Sequence, residues 1–151
     1  LLAAREAAEK GYDQVLWLDA REKKYVEEVG SMNICFIYDG KLITSPLHGT
    51  ILDGITRRSV LRLARDMGMG VVERALTVDE IFDGIESGRL TEAFGTGTAV
   101  VISPVGQFTY RDRTVTLGDG TTGKVTQKLY DTLTGIQYGR IPDSHGWTIE
   151  L

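Results

Sequence analysis

The chain has 151 residues, 42% hydrophobic and 25% charged, the balance of one globular domain with a sizeable core. Its net charge of −4 argues against an electrostatic nucleic-acid surface, and no apolar run approaches the roughly 20 residues that span a bilayer. The single cysteine, Cys35, has no internal disulfide partner, which suits a reducing compartment and sets the expectation of a cytoplasmic protein.

The chain opens in helix-forming sequence: Leu1, Leu2 and the alanines around Glu6, with Gly11 as a stop. No N-cap residue precedes Leu1, so the expectation is a helix severed from something longer. Gln14–Asp19 is β-rich, and Ala20–Lys24 reads as a polar turn. Tyr25–Val29 and Asn33–Tyr38 read as strands, and Asp39-Gly40 is a hairpin turn into Lys41–Thr44. Ser45–Gly54 is a loop broken by Pro46, Gly49 and Gly54.

Thr56–Met67 is predicted to be a helix, with an apolar stripe of Ile55, Val60, Leu63, Ala64 and Met67 and a stop at Gly68. A strand over Val71–Leu76 follows. Thr77 and Glu80 then form a capping box for a helix through about Ser87. Glu92–Phe94 leads into Gly95-Thr96-Gly97-Thr98-Ala99 and the apolar run Val100–Val105. Strands over Gln107–Tyr110 and Thr114–Leu117 precede a last helix, roughly Lys124–Tyr138. Strands outnumber helices and hairpins are local. The predicted class is therefore α/β or α+β with a mixed sheet, in a single domain over 1–151.

The most motif-like string misleads. Gly118 to Lys124 satisfies G-x-G-x-x-G and, up to its last position, the phosphate-loop pattern. Val125 stands where a hydroxyl would hold magnesium, and too little chain follows for a nucleotide fold. A glycine-rich turn feeding a helix is the better reading. His48 and His145 have no metal-ligand spacing, and Cys35 reads as a small core residue.

Three loops carry the chemistry. Glu27 and Glu28 end a strand. Leu52-Asp53-Gly54-Ile55-Thr56-Arg57 opens a helix whose free N–H groups could bind an anion. The small residues of Gly95–Ala99 could form an anion-binding nest. Each alone has an ordinary reading: solvated carboxylates, a plain helix start, a tight turn inside a sheet.

In this order and spacing, the strings EEVGSMNICFIYDGKLITSPL, ILDGITRRSVLRLARDMG, EAFGTGTAVVISPV and KLYDTLTGIQYG…HGW resemble the fold-type IV pyridoxal-phosphate enzymes. The branched-chain amino-acid aminotransferases are the nearest match, ahead of D-amino-acid aminotransferases and aminodeoxychorismate lyases. The resemblance covers essentially the whole chain. It implies the larger, C-terminal domain of a two-domain homodimer, with a mixed, barrel-like sheet flanked by helices. The cofactor would be pyridoxal 5'-phosphate, and the substrates branched-chain amino acids and 2-oxo acids.

Carried over by residue, the resemblance implies that Glu28 bonds the pyridine nitrogen and Leu52 packs on the ring. The N–H groups of Ile55 and Thr56 and the hydroxyl of Thr98 would hold the phosphate. Ser31 would lie near the cofactor, and the N–H groups of Thr98 and Ala99 would receive the substrate carboxylate. Glu27, one residue along the strand, should face away and stay solvated.

The family's Leu-Pro-Gly is here Leu52-Asp53-Gly54, which loses only a stiffening proline. Val100 and Ser103 stand at the positions of a redox cysteine pair in some relatives, so no thiol switch is expected. The lysine that would hold the cofactor covalently aligns with none of the six here and is expected upstream, with the N-terminal domain. The competing expectation is a non-catalytic fragment that binds anions or partners.

Overall fold

The computed structural model describes residues 2–149. Leu1, the expected start of the first helix, and the last two residues of the tail lie outside the described residues. Among the described residues, four helices and nine strands run in the order α1 (Leu2–Glu9), β1 (Leu16–Leu18), β2 (Val26–Val29), β3 (Met32–Tyr38), β4 (Lys41–Thr44), α2 (Ile55–Asp66) and β5 (Val71–Glu73). There follow α3 (Val78–Glu86), β6 (Leu90–Gly97), β7 (Val101–Val105), β8 (Gln107–Tyr110), β9 (Arg113–Thr116) and α4 (Lys124–Gln137).

Strands β1 to β7 form one mixed sheet, and β8 and β9 form a separate hairpin. All pairings are antiparallel except that of β4 with β5. The fully buried β3 is the hub. It pairs with β6 over Asn33–Tyr38 and with β4 over Cys35–Tyr38, while its first residues, Met32 and Asn33, pair with β2.

Alternation along β3 divides the core. Ile34, Phe36 and Tyr38 pack with α3 and the β8–β9 hairpin, and Phe36 and Phe108 rings meet at 6.3 Å. Cys35 and Ile37 face Val60, Leu61 and Ala64 of α2 and Leu129 and Leu133 of α4. Cys35 is fully buried, and that burial pushes its thiol up to about 12, so it is core and not a nucleophile. No helix among the described residues is long and apolar enough to cross a membrane.

The sequence places most elements within a residue or two, and the exceptions have structural causes. β5 stops at Glu73 rather than Leu76, because the carbonyl of Leu76 turns to accept the N–H of Val26 on β2 at 2.9 Å. Gly95 and Gly97 are not part of a nest. They continue β6, paired with Ser103 and Val101, which leaves Thr98 to Val100 as the turn. The ladder with β7 occupies that backbone. The turn ends at Val101 with φ +58°, a conformation that strains a β-branched residue.

The glycine-rich string Gly118–Lys124 ends at a helix start that is already filled. Glu92, from β6, accepts Val125 N–H at 3.0 Å and Thr126 N–H and hydroxyl at 2.8 and 2.7 Å. Gly123 allows this approach, since a Cβ there would lie 2.1 Å from the Glu92 carboxyl carbon. The protein supplies its own anion to the dipole of α4. Glu92→Ala should therefore destabilise the protein by about 2 kcal/mol, checked by urea denaturation; an unchanged midpoint would remove Glu92 as a cap.

Candidate active site

One end of the sheet collects the residues of interest. Glu28, Asn33 and Thr96 are successive register partners across β2, β3 and β6, so their side chains rise from one face in a row. The β4–α2 loop passes over that row. The Glu28 carboxylate accepts the Leu52 N–H at 3.3 Å and the Asn33 amide at 3.2 Å, and the same amide donates to the Leu52 carbonyl at 2.8 Å. Glu28 thus points at the loop that runs into α2.

Glu27 corrects the expectation from strand alternation. Leu18 pairs with Val26 and Trp17 with Glu28, which leaves Glu27 as an extra residue in a β-bulge. Val26 and Val29 consequently enter the same core cluster, and both half-buried glutamates lie between them. Glu27 is not free in solvent: its carboxylate accepts the Thr50 hydroxyl at 2.9 Å, on the same loop. Sequence alternation could not see this, because the inserted residue is defined by the partner strand.

Other residues brace the frame. Asp19 accepts the N–H groups of Glu22, Tyr25 and Lys24 at 2.6, 2.8 and 2.9 Å, fixing the turn that launches β2. The bond from Glu22, then that from Tyr25, lowers its carboxyl to about 2. This turn's support is present above the ordinary carboxylate value and is lost only as pH falls through about 2. The Trp17 indole donates to the Gly30 carbonyl at 2.8 Å and secures the β2–β3 turn, where Ser31 is exposed. Arg57, 2% exposed, donates to the Ser45 carbonyl at 3.0 Å and to Glu73 at 2.6 Å, tying the start of the loop and the end of β5 to α2. Trp17, Asn33 and Arg57 were not singled out from sequence, because their partners lie far along the chain.

The start of α2 differs from those of α3 and α4. Thr77 and Glu80 close the N-terminus of α3 as the expected capping box, and Glu92 closes that of α4. At α2 the N-cap is Gly54, with no side-chain cap and no acidic residue in the first turn, and the first helical bond is Arg58 N–H to Gly54 carbonyl. The N–H groups of Ile55 and Thr56 are thus without an intrahelical acceptor beside the Glu28 row. Leu52 and Ile55 are each 74% exposed there, and Thr98 and Ala99 are exposed on the β6–β7 turn, which Thr96 joins to the row. A carboxylate, an open helix start and exposed apolar side chains suit a flat, anionic, partly apolar ligand.

A cavity of about 800 Å³ lies elsewhere, between α1 and Ser103–Tyr110, and no expected site residue lines it. The candidate site rests on the chemistry of the Glu28, Asn33 and Thr96 row and the start of α2, not on a cavity.

The family model described as Amino-transferase class IV matches residues 1–108. The chain is 55% identical over its whole length to a probable branched-chain-amino-acid aminotransferase of Staphylococcus epidermidis, and 53% identical to branched-chain-amino-acid aminotransferase 2 of Bacillus subtilis. It spans 42% of the length of each of these relatives. The crystal structure of the Escherichia coli branched-chain amino acid aminotransferase superposes over 97% of this chain and 45% of its own, with TM-score 0.81 and 31% identity. A second solved branched-chain amino acid aminotransferase, the T.th. enzyme complexed with N-(5'-phosphopyridoxyl)-L-glutamate, matches over 97% of this chain and 45% of its own, with TM-score 0.80 and 36% identity. With the family model matching residues 1–108 and a mixed sheet flanked by helices, the chain belongs to the class IV aminotransferase family.

Proposed function

We propose that this chain is the cofactor-binding part of a pyridoxal 5'-phosphate enzyme that moves the amino group between branched-chain L-amino acids and 2-oxoglutarate. The observation that carries the reading is the Glu28 carboxylate bonded to Leu52 N–H, on the loop that ends at the one N-terminus among α2, α3 and α4 without an acidic partner. The names of relatives at 53–55% identity support the substrate class.

The bound cofactor would supply an electron-accepting ring. Glu28 would keep a proton on the ring nitrogen, and the exposed Leu52 would pack against the ring. The N–H groups of Ile55 and Thr56, with the Thr98 hydroxyl, would hold the phosphate at the positive end of α2. Ser31 would border the cofactor, and the N–H groups of Thr98 and Ala99 would receive the substrate carboxylate. Covalent anchoring and proton shuttling fall to a lysine upstream, in a protein with a further N-terminal domain, working as a cytoplasmic homodimer.

The test is to assay the full-length protein with leucine, isoleucine and valine against 2-oxoglutarate. Glutamate should form with all three and faster than with D-alanine. Preference for the D-amino acid would move the protein to another branch of the family.

A further inference from the structure

We propose that Asn33 is a positioning residue for Glu28: its buried amide holds the carboxylate in the direction from which it meets the cofactor ring. The inference rests on the cofactor reading above. Asn33 is 5% exposed and lies between Glu28 on β2 and Thr96 on β6, as the direct register partner of both. Its Nδ2 donates to Glu28 Oε1 at 3.2 Å and to the Leu52 carbonyl at 2.8 Å. Both partners are acceptors, so only the NH2 end of the amide can face them, and both of its hydrogens are used. The remaining oxygen sits against Gly54, where a Cβ would lie 2.3 Å from it. The glycine that starts α2 and the amide of Asn33 are therefore fitted to each other.

The consequence concerns Glu28. A glutamate side chain has several rotatable bonds, and ordering it in advance removes a penalty that binding would otherwise carry. Without the amide, Glu28 keeps only the longer bond from Leu52 N–H, 3.3 Å. Asn33 thus couples the carboxylate on β2 to the loop that leads into the open helix start.

The experiment uses the full-length apoprotein, with the dissociation constant for pyridoxal 5'-phosphate measured by fluorescence titration. Asn33→Ala should weaken binding by about tenfold or more. In a Glu28→Ala background the same substitution should have much less effect, because a positioning residue has nothing left to position. The pH titration of the bound cofactor's absorbance should shift in the same direction in Asn33→Ala as in Glu28→Ala. An equal fold-loss from Asn33→Ala in both backgrounds would show a purely structural role and overturn the inference. Should Asn33→Ala fail to fold, the isosteric Asn33→Asp sets a carboxylate without amide hydrogens against Glu28 and should weaken binding at least as much; parent-like binding overturns the inference. Parent-like binding and absorbance in Glu28→Ala alone would instead overturn the cofactor reading itself.

Discussion

Replacing Glu28 by glutamine is expected to lower turnover of the full-length enzyme by roughly a hundred- to thousandfold while leaving its fold intact. Glutamine preserves the shape and keeps an oxygen that can accept from Leu52 N–H and the Asn33 amide, the two bonds that orient Glu28. What it loses is the negative charge. On the proposed reading, a protonated ring nitrogen faced by a neutral amide would no longer be held in that state, and electron withdrawal through the ring would weaken accordingly. The measurement is kcat with leucine and 2-oxoglutarate, alongside circular dichroism and bound-cofactor content. Turnover near that of the parent, with cofactor bound, would take Glu28 out of the mechanism. Glu27→Gln is the internal control: its carboxylate shares the loop through Thr50 but has no bond to Leu52 or Asn33, and turnover should stay near that of the parent.

The contrast between the two glutamates marks what was legible in the sequence. Features set by neighbours in the chain could be read: the capping box of Thr77 and Glu80, the Asp39-Gly40 hairpin, and the apolar stripe of α2 at Val60, Leu63 and Ala64, though not at Ile55, which is 74% exposed at the helix start. Glu28 stood out only through the family resemblance of long strings; taken alone it reads as a solvated carboxylate at a strand end. Glu27 was misplaced because a bulge depends on two strands at once, and period-two alternation assumes none. Gly95 and Gly97 suggested a nest because glycine permits one; the β7 ladder decides otherwise. Glu92 gave no hint that it caps a helix beginning 32 residues later, at Lys124. Asn33 reads as an ordinary strand residue until β2, β6 and the Leu52 loop surround it. Residues whose roles are set by register or by distant backbone are those that sequence alone leaves unassigned.

The isolated 151-residue chain is expected to be catalytically inactive and to form no specific covalent adduct with pyridoxal 5'-phosphate. Its six lysines are all exposed and scattered: Lys10 after α1, Lys23 and Lys24 in the β1–β2 turn, Lys41 on β4, Lys124 and Lys128 on α4. None shares a bond with Glu28, Asn33 or the Leu52 loop. A lysine must be unprotonated to attack an aldehyde, and an ordinary lysine titrates near about 10.4, so the reactive fraction at neutral pH is small. Lys24 is further disfavoured. Glu22, 2.7 Å from its ammonium, raises its pKa through a side-chain bond, followed by the effect of Tyr25. The open start of α2 does not depend on a lysine, so weak reversible binding of the phosphate should persist. The test is to mix the purified chain with the cofactor, reduce with borohydride and map the adducts by mass spectrometry. Low, distributed labelling across several lysines is the expected pattern. Stoichiometric labelling of one lysine, together with transaminase activity, would show that the anchoring residue lies within these 151 residues and that the upstream placement is wrong.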